Sequence, residues 1–130
     1  MVGMVIVSHS RRLAEGVKEI AAEMADEKMR IVAAGGMEDG AIGTDAIRIE
    51  EAILTADSGD GVVILADLGS AIMSANTALE FLDDEKRKSV EIADAPIVEG
   101  AIGAAIEASI GSRLGAVIAA AEEARDLRKL

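Results

Sequence analysis

The chain holds one histidine, His9, set between Ser8 and Ser10 where an apolar run stops and a helical period begins. A neutral imidazole can attack a phosphoryl group with one ring nitrogen if a neighbour holds the other as N–H and fixes the tautomer. Asp67 closes another apolar run, in Ala66-Asp67-Leu68-Gly69-Ser70-Ala71. As a carboxylate it can orient the His9 ring and leave the far nitrogen free for in-line attack. Gly69, Ser70 and Ala71 open a helix, whose free N–H groups can cradle a phosphate; Ser10 plays the same part at the start of the first helix. Glycine at 69 lets backbone approach a ligand closely. Gly43 and Thr44 are candidates for the rim of the site. Blander readings exist. A lone histidine is more often structural, Asp67 also reads as a helix cap, and Ser70 reads as a cap rather than a nucleophile. The position of His9 at the end of the first strand, ahead of a helix start, favours chemistry.

The elements that must position these residues follow from hydrophobic period. Met4–Val7, Ile31–Ala34 and Val62–Ala66 are apolar runs of strand length without alternation, as expected for strands buried on both faces of a parallel sheet. A weaker fourth strand is expected over Ser89–Ala93. Leu13, Val17, Ile20 and Met24 form one apolar helical stripe. Thr44 is expected to cap a second helix, with Asp45 at its positive end and Ile49, Ile53 and Ala56 turned inward. A third helix opens at Gly69 or Ser70 and carries Met73, Thr77 and Phe81. An Ala- and Gly-rich helix follows Pro96, from about Val98 to Ala108, with Ile102, Ile106 and Ile110 near one face. Ser112 is expected to cap a last helix carrying Leu114, Val117, Ile118 and Ala121. The cluster Asp83-Asp84-Glu85-Lys86-Arg87-Lys88 reads as a solvated turn.

Strand then helix, repeated, gives a doubly wound α/β fold, with about four parallel strands, five helices and helices on both faces. Residues 1–130 read as a single domain. In such sheets ligands bind at the carboxyl ends of the strands where strand order reverses. If the first strand is central, His9 and Asp67 share that rim.

Composition narrows the function. With 13 basic and 24 acidic side chains the formal charge is −11. That excludes nucleic acid and anionic membrane as favoured partners, since both need clustered Lys and Arg. Cysteine is absent, so neither disulfides nor thiolate metal sites arise. No apolar run reaches the roughly 20 residues of a membrane span, and the apolar start is too short for a signal peptide. A cytoplasmic location is expected. The one aromatic residue, Phe81, offers no stacking platform for bases.

Several chemistries fail on residues. Gly35 and Gly40 have P-loop spacing, but Ala41 and Ile42 follow them in place of Lys and Ser or Thr. Gly59-Asp60-Gly61 lacks the third glycine of a dinucleotide fingerprint and precedes a strand. No Gly-x-Ser-x-Gly elbow occurs, and one histidine cannot build a histidine-rich zinc site. No metal and no cofactor is expected. A phosphoryl acceptor without a nucleotide site implies that the phosphate comes from another protein.

Val5-Ile6-Val7-Ser8-His9-Ser10 followed by Leu13-Ala14-Glu15-Gly16-Val17 resembles the mannose-type enzyme IIA domain of the sugar phosphotransferase system. Ile42-Gly43-Thr44-Asp45-Ala46, the segment from Ala66 to Ala71, and Ala95-Pro96-Ile97-Val98-Glu99-Gly100 resemble, more narrowly, the phosphotransfer subunit of phosphoenolpyruvate-dependent dihydroxyacetone kinase. The resemblance runs from residue 1 to about 125, and the order of the motifs makes it specific. It implies that His9 accepts phosphate from the histidine-containing phosphocarrier protein. It further implies transfer to ADP held on the nucleotide-binding subunit of the kinase, and a homodimer. Two other functions remain: the sugar-transporter component of the same fold, with a different acceptor, and a non-catalytic sensor or binding module.

Overall fold

Residues Gly3–Ser8 form strand β1 and all six are buried, the fate of an unbroken apolar run in the middle of a sheet. The computed structural model describes residues 1–130. It adds β2 (Ile31–Gly35), β3 (Val62–Ala66) and β4 (Val90–Ile92), in the order β2-β1-β3-β4 with every pairing parallel. The four expected strands are therefore present, and β1 is central.

Helices α1 (Arg11–Met24), α5 (Ile97–Ser109) and α6 (Leu114–Glu123) cover one face; α2 (Ala46–Ala56) and α3 (Gly69–Glu80) cover the other. A one-turn helix, α4 (Asp84–Arg87), precedes β4, and a 3₁₀ turn spans Ala124–Asp126. The fold is doubly wound with six α-helices, one more than the periodicity suggests. The extra one lies in the charged cluster read as a turn. There Asp83 caps the helix by accepting the Lys86 amide at 2.8 Å, and the Lys86 ammonium pairs with Asp57.

The two core layers share one plan. Large side chains come from the strands, including Met4, Ile6, Ile64 and Leu65, all without exposure. They fill the gap between sheet and helix, so the helices contribute mostly small residues. On α1 the buried residues are Ala14, Val17 and Ala21, while Leu13, Ile20 and Met24 of the expected stripe stand exposed. On α3 they are Ala71, Ala75, Ala78 and Leu79, while Met73, Thr77 and Phe81 lie outside. Gly35 shows how tight the α1 contact is: a Cβ there would lie 2.5 Å from the Ser10 carbonyl oxygen and 2.8 Å from the Ala14 methyl.

Caps differ from expectation at three helices, and at α3 the N-cap is Leu68, with no side-chain bond, in place of Asp67 or Ser70. Asp45, not Thr44, caps α2, accepting the Ile47 amide at 3.0 Å. Arg113, not Ser112, is the N-cap of α6 and bonds through no side chain; the Ser112 hydroxyl donates to Glu107 at 2.5 Å instead. Gly103 lets α6 approach α5, since a Cβ on it would meet the Ala120 carbonyl oxygen at 2.8 Å. That small residue serves a contact within the chain.

Candidate functional site

The register Val7 opposite Ala66 brings the ends of β1 and β3 level. The Asp67 amide then donates to the Val7 carbonyl at 3.2 Å, so the residues that follow each strand, His9 and Asp67, meet. Here strand order reverses, because β1 leads through α1 to β2 on one side while β3 lies on the other. His9 Nδ1 lies 2.9 Å from Asp67 Oδ1. Both side chains are largely covered, at 22% and 12% exposure.

Asp67 accepts four hydrogen bonds. Oδ1 takes the His9 ring and the Leu68 amide at 2.7 Å; Oδ2 takes the Ser8 hydroxyl at 2.8 Å and the His9 amide at 3.1 Å. Burial pushes its carboxyl upward, but the bonds from the His9 amide, the Ser8 hydroxyl, the His9 ring and the Leu68 amide outweigh that and hold it below the usual carboxylate value. Asp67 is therefore an ionised acceptor at neutral pH. An acceptor can bond only to an N–H, so Nδ1 carries a proton, and in the neutral ring Nε2 carries the lone pair. Nε2 meets the Ser70 hydroxyl.

Two helix N-termini open onto this edge. Ser10 caps α1 through the Leu13 amide at 3.2 Å, and its carbonyl takes the Ala14 amide at 3.1 Å; the Arg11 and Arg12 amides have no acceptor in the chain. At α3 the Ala71 amide is already committed to the Leu68 carbonyl at 2.9 Å, and Ala71 is fully buried. The free amides at that end are those of Gly69 and Ser70. Positive helix ends and free N–H groups together suit an anion.

The loop before α2 completes the rim. The Gly43 amide donates to the His9 carbonyl at 2.9 Å, and Gly43 has φ +144, with Met37 Sδ 2.9 Å from where a Cβ would stand. The Thr44 and Ser74 hydroxyls lie 2.6 Å apart, tying this loop to α3. Sequence reasoning named Gly43 and Thr44 but missed Ser8 and Ser74. Ser8 had one signal, a polar residue closing an otherwise apolar strand; Ser74 had none. Beside the site, a crevice of about 460 Å³ shares Asp67, Leu68 and Gly69 and reaches Asn76 and Asp94.

No helix is long and apolar enough to cross a membrane. The model of the PTS system fructose IIA component family matches residues 3–118. A phosphoryl donor subunit of a PEP-dependent dihydroxyacetone kinase from Listeria innocua is 41% identical over 91% of this chain and 94% of its own length. The corresponding Escherichia coli subunit is 42% identical over 99% of this chain, which spans only 28% of that longer protein. Among solved structures, the unknown function protein EF1359 superposes with a TM-score of 0.88 at 35% identity, over 100% of this chain and 99% of its own. The phosphotransferase system component EIIA from Streptococcus agalactiae gives 0.68 at 12% identity, over 95% of this chain and 92% of its own, which supports the fold alone. Sheet order, the histidine at the end of β1 and these matches agree: the chain belongs to the mannose-type enzyme IIA family, that of the PTS system fructose IIA component.

Proposed function

We propose that residues 1–130 act as one cytoplasmic IIA-type unit that relays a phosphoryl group through His9 Nε2. One observation carries this reading: Asp67 holds Nδ1–H at 2.9 Å, which turns the lone pair of Nε2 outward at an edge furnished with free amides. The donor is the histidine-containing phosphocarrier protein. Nε2 attacks its phosphorus, the bond from phosphorus to the carrier's ring nitrogen breaks, and that ring keeps the electron pair. The His9 ring becomes cationic beside the Asp67 carboxylate, which stabilises it. In the second step the terminal phosphate oxygen of ADP attacks, the Nε2–P bond breaks, and the His9 ring returns to neutral. The ADP sits on the nucleotide-binding subunit of dihydroxyacetone kinase, in keeping with the relatives named as phosphoryl donor subunits of that system.

Both partners need a surface around His9. Exposed apolar side chains stand on the elements that carry the site: Ile42 at 75% exposure, Leu68 and Met73. Arg11 and Arg12 are also exposed there. Apolar contact with two flanking cations suits a phosphorylated partner surface. The assembly is a homodimer, with exposed Ile106 of α5 and Ile110 just past its end available for burial.

The test supplies phosphoenolpyruvate, the phosphocarrier system and either the ADP-loaded kinase subunit or a mannose-type sugar permease component. Phosphate passing to the kinase is the expected result; passage only to the permease component would place the chain in sugar transport. Neither transfer, with no phosphate on His9, would leave a binding module.

A further inference from the structure

Ser8 is the last residue of β1, and it is the one buried polar residue of the chain, with no exposure. Its Oγ lies between two groups. The Ser10 amide approaches at 3.0 Å and can only donate, so it takes a lone pair of Oγ. Asp67 Oδ2 lies 2.8 Å away and, being ionised, can only accept, so it takes the hydroxyl hydrogen. With no water able to compete, the hydroxyl has one orientation.

That orientation matters for the ring. A carboxylate has about four acceptor positions, and Asp67 fills them with Ser8, the His9 amide, the Leu68 amide and the His9 ring. The Oδ2 pair blocks the carboxylate from rotating about its last bond, so Oδ1 stays aimed at Nδ1. The Ser8 backbone is itself pinned, since its carbonyl accepts the Gly36 amide at 3.1 Å. A chain of bonds thus runs from the N-terminus of α1 through Ser10, Ser8 and Asp67 to the imidazole.

We propose that Ser8 is a positioning residue for phosphoryl transfer, acting through Asp67 to hold the His9 ring as the Nδ1–H tautomer with Nε2 facing the incoming phosphorus. This rests on the relay proposed above. Ser8 touches neither phosphate nor the reacting nitrogen, and its contribution exists only while Asp67 is a carboxylate. Residues one step removed from metal-bound histidines contribute about 10- to 100-fold to activity, and the lower end of that range is expected for Ser8.

The experiment uses Ser8→Ala and Ser8→Cys, each alone and combined with Asp67→Asn, in the full chain. Nitrogen NMR of the His9 ring reads the tautomer, and quenched-flow phosphorylation reads transfer. Ser8→Ala is expected to admit the second tautomer and to slow transfer about tenfold, with Ser8→Cys, a weaker donor of similar size, falling between it and the wild type. In the Asp67→Asn background neither change should slow transfer further. An unchanged tautomer and rate in a merely less stable Ser8→Ala protein would overturn the proposal. So would an equal loss in the Asp67→Asn background, which would make Ser8 act independently. If Ser8→Ala does not fold, Ser8→Cys is read by the same measures. If the wild type takes no phosphate, the relay fails by itself, while the tautomer comparison still decides whether Ser8 positions the ring.

Discussion

Asp67 and His9 are 58 residues apart in the chain, yet Asp67 Oδ1 and His9 Nδ1 lie 2.9 Å from each other at the carboxyl edge of the sheet. Their pairing assigns the ring proton and thereby the nucleophilic nitrogen. Asp67→Asn offers the ring an amide that can donate as well as accept, so the tautomer is no longer imposed. Transfer is expected to slow by at least about 10²-fold, following the tautomer effect in hydrolase triads. Circular dichroism should be unchanged, because the strands and α3 do not depend on the charge. Wild-type rates in Asp67→Asn would reduce Asp67 to a local brace.

The same carboxylate gives a signature in pH. Its folded value lies below the 3.8 of a free aspartate, so the folded state holds the charged form better than the unfolded one. That stabilisation is complete above the unfolded value and is lost as pH falls through the folded one. The stability difference between wild type and Asp67→Asn, measured in urea, is therefore expected to be constant near neutrality and to shrink below about pH 4. A difference that grows on acidification would contradict the direction of the shift. Comparison with the variant cancels the contribution of Asp57, which is held low by Lys86.

Ser70 meets the lone-pair nitrogen of His9 and does not cap its own helix, whose N-cap is Leu68. Once Nε2 carries phosphate, this hydroxyl is free to donate to a phosphoryl oxygen. Ser70→Ala should leave thermal stability within about 0.5 kcal/mol of wild type, as surface changes do. It should shorten the lifetime of the phosphorylated protein roughly tenfold, the worth of one hydrogen bond to a charged group. Neutral-pH decay followed by intact-mass measurement reads this, and an unchanged lifetime would remove Ser70 from the site.

At the opposite edge of the sheet, Asp57 ends α2, accepts the Gly59 amide at 2.9 Å and pairs with Lys86 of α4. The Asp57 side chain is 7% exposed, so the pair is sheltered from solvent on that side. Asp57→Ala should cost about 2 kcal/mol, the order expected for hydrogen bonds to a charged group. Phosphorylation of His9 should be unaffected, since His9, Asp67 and Ser70 lie at the far ends of the strands from this turn. Loss of both would show that the two edges are coupled.

The sheet was legible because its strands are short apolar runs, and β3 matched its expected span residue for residue. The site followed from topology: once β1 is central, the residues after β1 and β3 must meet. What misled was the size of the apolar residues on the helices. Leu13, Ile20, Met24, Met73 and Phe81 obey helical period, yet they lie outside, because strand side chains already fill much of the layers and leave mostly alanine-sized room under α1 and α3. Thr44 looked like a cap because threonine often is one, but Asp45 stands one residue closer to the first turn and takes the Ile47 amide, leaving Thr44 to bond Ser74. From the sequence Ser8 reads only as a flank of His9, since no period marks a buried hydroxyl whose partner lies 59 residues on.

The central claim is that His9, the only imidazole of the chain, carries the phosphoryl group. The direct measurement is mass spectrometry at neutral pH, after incubation with phosphoenolpyruvate and the phosphocarrier system, on wild type and His9→Gln. One acid-labile phosphoryl group on wild type, localised to His9, and none on a folded His9→Gln is the expected result. Acid-labile phosphorylation that persists in His9→Gln would contradict it.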